Sequence, residues 1–364
     1  MSFFQKKYIV LFIVVLVYSC ATKKELVIAH SNPGLEYSGR IEVSNNNGST
    51  LFWSGTSIKL NFEGTSIAGL FKDDKGDNYY NIILDQDSIS IFKPDTIKQY
   101  YQLAKNLKKG KHTIEIFKRT EWNRGKTNFY GFKLEGTPPL LLPKTVQQKR
   151  KIEFYGNSIT AGYAVEDFSG KDSPDSTYTN NYLSYAAITA RHFNAKYHCI
   201  CRSGIGITVS WFPQIMPEIY DRLNPTNATS KWNFSEFTPD VVVVNLLQND
   251  SWLVNLPDHE MFKMRFGNQK LDKQTIINAY RQFITNLRKH YPKANIICTL
   301  GGMDAAKNGS KWIDYIKTAT ANINDPKIYT HFMPYIEPKG HPSIKGQEEL
   351  AKSLIAFIEK NITW

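Results

Sequence analysis

The feature that most constrains the fold is a change of grammar near residue 150. From Lys151 onward, short apolar runs at 152–155, 196–201, 240–246, 295–300 and 327–332 read as strands. Between them lie amphipathic stretches. Leu183, Ala187, Ala190 and Phe193 form one, and Ile276, Tyr280, Phe283, Ile284 and Leu287 a second. Leu350, Leu354, Phe357, Ile358 and Ile362 form a third. Spacings of three, four and seven mark one face of a helix. The run Val241-Val242-Val243-Val244 shows no polar alternation, as expected of a strand buried on both faces. Strand, helix and strand repeated over 151–364 predict a parallel sheet covered by helices on both sides, a three-layer α/β/α domain.

The first half obeys a different rule. Residues 39–43, 57–62, 80–84 and 112–116 alternate apolar and polar side chains, separated by Asn-Gly, Gly-Thr, Lys-Gly and Asp-Lys-Gly turn signals. That pattern predicts an antiparallel β-sandwich over 21–138. The proline- and lysine-containing stretch 139–150 is expected to link the two domains. The length, 364 residues, suits two domains, and 41% apolar with 21% charged residues gives each enough material for a core.

The amino terminus predicts export. Lys6 and Lys7 precede an apolar run from Tyr8 to Val17, followed by Val17-Tyr18-Ser19-Cys20. A positive start, a short apolar stretch and a small residue before a cut site make an export signal, and the run is too short to anchor as a spanning helix. A cysteine directly after the cut resembles a bacterial lipobox, so 1–20 is read as a lipoprotein signal with Cys20 as the lipidated residue. The implied location is the cell envelope, facing the periplasm or the outer surface. The other cysteines, Cys199, Cys201 and Cys298, form no disulfide framework or metal-ligand spacing. The net charge of +12 comes from lysines scattered among acids, without an arginine-rich helix or recognition motif, which argues against a nucleic-acid partner.

Ligands of open parallel sheets bind beyond the carboxyl ends of the strands. The sequence there offers Gly156-Asn157-Ser158-Ile159-Thr160, then Gly204-Ile205-Gly206-Ile207-Thr208, then Leu247-Gln248-Asn249-Asp250, and finally Gly340-His341-Pro342. Singly, each has an ordinary reading: a helix-capping serine, a tight turn, a loop pair and a packing histidine. Together they supply a nucleophile, a base and oxyanion donors at one rim.

These four blocks resemble those of the SGNH, or GDSL-like, hydrolases, with Gly156-Asn157-Ser158 where most members have Gly-Asp-Ser. In the first half, Gly39-Arg40, Gly110-Lys111-His112-Thr113-Ile114, Lys118-Arg119-Thr120-Glu121 and Phe129-Tyr130-Gly131-Phe132 resemble the jelly-roll module of carbohydrate esterase family two. The resemblance implies a jelly-roll sandwich joined to a flavodoxin-like SGNH domain. It also implies a serine esterase that removes acetyl groups from polysaccharide sugars of the acetyl-xylan or acetyl-mannan type. Ser158 would be the nucleophile and His341 its base. The Ser158 and Gly206 N–H groups and the Asn249 amide would bind the oxyanion, with Gly204 as the alternative donor. Asn157, Asp250, Trp211 and Trp252 are candidate substrate contacts, the tryptophans as platforms for a sugar ring or as plain packing. No metal or organic cofactor is called for.

Two departures stand out. Leu247 occupies the place where the third block usually has glycine. Pro338 and Lys339 precede His341 where an orienting aspartate is usual, which favours a Ser–His dyad, and the resemblance implies that a main-chain carbonyl can orient the histidine. Glu337 is the local carboxylate that could act instead. The rival readings are an SGNH lipid or acyl esterase, and a carbohydrate-binding lipoprotein whose catalytic domain has decayed.

Overall fold

A computed structural model describes residues 24–45, 47–144, 148–336 and 340–364. The export segment with Cys20, and Glu337, lie outside the described residues.

Residues 24–141 build two antiparallel sheets. One contains β1 (Lys24–Ala29), β3 (Ile41–Ser44), β4 (Gly48–Leu51), β6 (Ser66–Asp73), β9 (Gln99–Lys105) and β11 (Thr127–Gly136). The other contains β2 (Glu36–Ser38), β5 (Ser57–Glu63), β7 (Tyr80–Leu84), β8 (Ser88–Phe92), β10 (Lys111–Lys118) and β12 (Leu140–Leu141). The alternation read from the sequence is the burial pattern of β5, where Ile58, Leu60 and Phe62 face a core shared with Phe71, Ile114, Ile116, Phe129 and Phe132. The sandwich runs past its expected end. Leu140–Leu141 pair with β5 and the Leu142 N–H donates to Asn61 O, so the segment expected to link the domains from residue 139 begins instead as an edge strand. Periodicity cannot find a strand of two residues.

The second half is a five-stranded, wholly parallel sheet in the order β14-β13-β15-β16-β17. Its strands are β13 (Arg150–Gly156), β14 (Ala195–Cys201), β15 (Val241–Asn245), β16 (Asn295–Gly302) and β17 (Ile328–Tyr335). β15 is central, and Val241 to Val244 are fully buried, each stabilising the fold by about 1.5–3 kcal/mol. Helices α2 (Tyr185–His192) and α8 (Ile344–Asn361) cover one face, and α6 (Lys273–His290) and α7 (Lys311–Ala321) the other. Strand order 2-1-3-4-5 places the topological switch beside β13, the edge at which the candidate nucleophile follows its strand.

The two domains are joined by buried polar contacts. Arg40, fully buried, reaches from the sandwich to the carbonyls of Tyr220 (2.6 Å) and Arg222 (3.0 Å), to Glu153 Oε1 (3.1 Å) and to Tyr155 Oη (3.1 Å). Trp53 Nε1 donates to Leu223 O at 2.9 Å. Burial alone would raise the Glu153 carboxyl, but the Arg40 guanidinium and His198 outweigh it and hold the group at about 2.

Candidate active site

Four loops at the carboxyl edge of the parallel sheet converge. β13 ends at Gly156, where a Cβ would lie 1.9 Å from Thr160 Oγ1, so the strand turns directly into α1 (Ser158–Ala161). Asn157 caps that turn, its Oδ1 accepting from the Ile159 N–H at 3.0 Å. Asn157 is therefore not a substrate contact: it is fully buried beneath the nucleophile and holds the turn in place.

Ser158 Oγ lies 2.9 Å from His341 Nε2. Against a neutral imidazole the serine donates, which is the arrangement a base needs to take its proton. His341 sits between Gly340 and Pro342 in the loop that opens α8, and the Tyr163 ring packs on the imidazole at 4.7 Å between centroids.

The histidine has a carboxylate partner, supplied by Asp172. Its two oxygens accept from the His341 backbone N–H at 3.1 and 3.2 Å, and Oδ2 lies 3.0 Å from Nδ1. The oxygen stands off the axis of the Nδ1–H, so this last contact is electrostatic, without the alignment of a hydrogen bond. The adjacent His341 holds the Asp172 carboxyl below the ordinary carboxylate range, against the opposing effect of partial burial. The expected dyad with a main-chain orienter is thus corrected. The carboxylate comes from a polar excursion between α1 and α2, 169 positions from the histidine it serves. No local spacing around His341 points to it; the only trace in the sequence is a loop dense in aspartate, Asp167, Asp172 and Asp175.

The oxyanion side differs from expectation in one donor. Gly206 N–H is already spent on Ser210 Oγ at 2.9 Å. Gly204, in the left-handed region at φ +82°, and Ser158 each present a backbone N–H without an acceptor among the described residues. Of the two glycines, Gly204 is therefore the one whose N–H is open to a ligand among the described residues. Asn249, on α4 (Gln248–Leu253), donates one Nδ2 hydrogen to Ile205 O at 2.9 Å, and its Oδ1 accepts from Trp211 Nε1 at 3.1 Å. An amide carries two N–H donors, so one remains for a ligand. Leu247 precedes α4 with φ +84°, the backbone shape for which glycine is ordinarily used. Its side chain is fully buried in the core, which offsets the strain.

Asp250 was expected at the cleft. It is instead fully buried and accepts from Ile207 N, Thr208 N and Thr208 Oγ1, closing the glycine loop from below. Burial raises its carboxyl, and these donors oppose the rise. Trp211 bonds Asn249 through Nε1 and is 41% exposed. Trp252 lines a small cleft of about 190 Å³ with Asp172, Met303, Asp304, Tyr335 and Gly340, its Nε1 held by Asp304 Oδ2 at 2.9 Å. Larger concavities of about 360 and 670 Å³ lie on the sandwich and behind α2, away from the Ser158–His341 pair.

The sandwich reaches this site through the connection from β10 to β11. Glu121 accepts from the Ser203 N–H and, at 2.6 Å, from Ser203 Oγ, fixing the residue before Gly204. The Arg202 guanidinium is packed between Trp122 and Phe212.

Comparison with known proteins agrees with this architecture. Residues 37–143 match the family model described as carbohydrate esterase 2 N-terminal. The chain is 34% identical to the cellulase/esterase CelE of Acetivibrio thermocellus over 92% of its own length, and spans 40% of that protein. It is 24% identical to an acetylxylan esterase/glucomannan deacetylase of Cellvibrio japonicus, over 93% of this chain and 91% of the other. Among solved structures, a family two carbohydrate esterase from Clostridium thermocellum in complex with cellohexaose is 33% identical. It superposes with a TM-score of 0.79 over 90% of this chain and 98% of that one. With its jelly-roll, its parallel sheet and its Ser158–His341 pair at the strand ends, the chain belongs to carbohydrate esterase family two.

Proposed function

We propose that the protein is a serine esterase that removes O-acetyl groups from polysaccharide sugars, of the acetyl-xylan or acetyl-mannan type. The observation that carries this reading is the 2.9 Å contact of Ser158 Oγ with His341 Nε2 at the rim of the parallel sheet, beside three N–H donors with no acceptor among the described residues. The names and ligand of the relatives, an acetylxylan esterase/glucomannan deacetylase and a carbohydrate esterase bound to cellohexaose, support a glycan substrate.

The chemistry follows from the geometry. Ser158 Oγ attacks the acetyl carbonyl while its proton passes to His341 Nε2. The carbonyl oxygen becomes an anion facing the N–H groups of Ser158, Gly204 and Asn249. His341 then protonates the departing sugar oxygen, the C–O bond breaks and an acetyl-serine remains. Water, deprotonated by the same nitrogen, attacks that ester, and acetate leaves as Ser158 recovers its proton. The imidazolium formed in each half faces the Asp172 carboxylate.

The test compares the chain from residue 21 with Ser158→Ala on acetylated xylan and glucomannan, reading released acetate, beside para-nitrophenyl acetate and octanoate. Serine-dependent acetate release with little octanoate turnover is expected. Preference for octanoate would replace this reading with a lipid-type esterase. No serine-dependent turnover from a folded protein would end it.

The same proposal places the enzyme at the cell envelope, held by a lipid on Cys20; the lipobox-like Val17-Tyr18-Ser19-Cys20 supports it. Metabolic labelling with a palmitate analogue should mark the wild type and not Cys20→Ser.

A further inference from the structure

The loop that carries Asp172 is held at several points from the other domain. Between α1 and α2 the chain makes an excursion over residues 166–177, pinned at both ends and in the middle. Sandwich residue Arg119, buried at the interface, donates from Nη2 to Glu166 Oε2 and, at 2.9 Å, to Thr177 O. Its Nε donates to Thr179 O at 3.3 Å. Arg124 donates to Pro174 O and pairs with Asp77, whose other oxygen accepts from Ser176 Oγ. Within the excursion, Asp167 closes the turn by accepting from the N–H groups of Ser169 and Ser173.

At the centre of this frame Asp172 adopts φ +53°, a left-handed shape that costs an L-residue about 1–2 kcal/mol. Such a shape persists where the surroundings over-determine it. Its own domain contributes the Tyr163 hydroxyl, which donates to Asp172 O at 3.3 Å, and the His341 N–H, while Glu166, Pro174, Ser176 and Thr177 find partners on the sandwich.

We infer that the sandwich is a positioning element of the active site: through Arg119 and Arg124 it holds the 166–177 excursion in the shape that sets Asp172 against His341. Asp172 is then the positioning residue for the histidine, fixing the ring through its backbone N–H and facing the charge that forms on Nδ1. Arg119 and Arg124 act one step further out. This inference rests on the esterase reading above and gives the sandwich a role in turnover apart from glycan binding.

A double-mutant cycle tests it on the full mature chain, with kcat and KM measured on para-nitrophenyl acetate. Asp172→Asn is the clean probe, since asparagine tolerates a positive φ and keeps the size while losing the charge. It should lower kcat about a hundredfold, short of the ~10⁴-fold seen for a fully aligned triad carboxylate. KM should stay within about twofold. Arg119→Met should lower kcat roughly tenfold by itself, yet have less than about a twofold effect in the Asp172→Asn background. Should Arg119→Met fail to fold by thermal melting, Arg124→Ala, at the half-exposed end of the frame, completes the same cycle. An Asp172→Asn enzyme with unchanged kcat overturns the inference. So do Arg and Asp172 effects that simply multiply, since the arginine would then act elsewhere. A wild type no more active than Ser158→Ala would sink the esterase reading itself. An active wild type with unaffected variants would sink this inference alone.

Discussion

Trp211 Nε1 donates to Asn249 Oδ1 at 3.1 Å, and this bond decides which way the Asn249 amide faces. With Oδ1 engaged by the indole and one Nδ2 hydrogen on Ile205 O, the remaining N–H is fixed in direction before any substrate arrives. Trp211→Phe keeps an aromatic ring against His259 while removing the donor. It should lower kcat about tenfold with the melting temperature little changed, whereas Asn249→Ala should cost about a hundred- to a thousandfold. Equal rates for wild type and Trp211→Phe would show that the amide is held without the indole.

The two glycines of the second loop should separate stability from rate. At Gly206 a Cβ would lie 2.0 Å from Val209 O and 2.6 Å from Asp250 Oδ2, so Gly206→Ala should destabilise the protein by about 2 kcal/mol or more. At Gly204 the nearest atom would be Trp211 Cβ at 3.2 Å, and the main cost is the positive φ, about 1–2 kcal/mol. Gly204→Ala keeps the N–H but strains the φ that aims it, so on the proposed mechanism its effect should instead appear in kcat. Chemical denaturation beside steady-state kinetics reads both.

Acid should part the domains. The Glu153 carboxyl, held at about 2 by Arg40 and His198, has an ordinary value of 4.5 when the chain unfolds. A depressed carboxyl contributes stability above its unfolded value and loses it as pH falls through the folded one, here from about 4.5 toward 2. Wild type should therefore lose melting temperature steeply across that window. Glu153→Gln should be less stable at pH 7, with Arg40 left unpaired, and should show a flatter acid limb. Parallel acid limbs would show that another group sets the transition.

Leu247 should reverse the usual order of alanine and glycine. Leu247→Ala keeps the strained φ of +84° and loses a buried side chain, at about 2–5 kcal/mol. Leu247→Gly loses the same side chain but relieves strain of about 1–2 kcal/mol. Both variants should be less stable than wild type, with the glycine variant the more stable of the two by urea unfolding.

Most of the architecture was legible because burial writes itself as period. The two-residue alternation of 57–62, the helical spacing from Ile276 to Leu287 and the unbroken valines of β15 each have one physical reading. Ser158 and His341 were legible for a different reason: they stand just after strands, where a parallel sheet exposes its ends. What failed was pairing. Spacing names Gly204 and Gly206 alike, but only the fold shows that Ser210 has taken the Gly206 N–H. An Asn-Asp pair puts one residue toward the cleft and one beneath it, and the string of letters does not say which. Asp172 could not be found at all, because its relation to His341 exists only once β13, α1 and the sandwich are assembled.

Shape cuts this chain near residue 142, but its working parts ignore the cut. Glu121 steadies the loop of Gly204, and Arg119 steadies the loop of Asp172, both from a three-residue stretch on the far side of the boundary. Recombination in genomes moves contiguous stretches of sequence. A three-layer domain copied without its jelly-roll would arrive with Glu166, Pro174 and Ser203 facing water where they now face protein. Such a copy would carry both loops without the partners that now hold them.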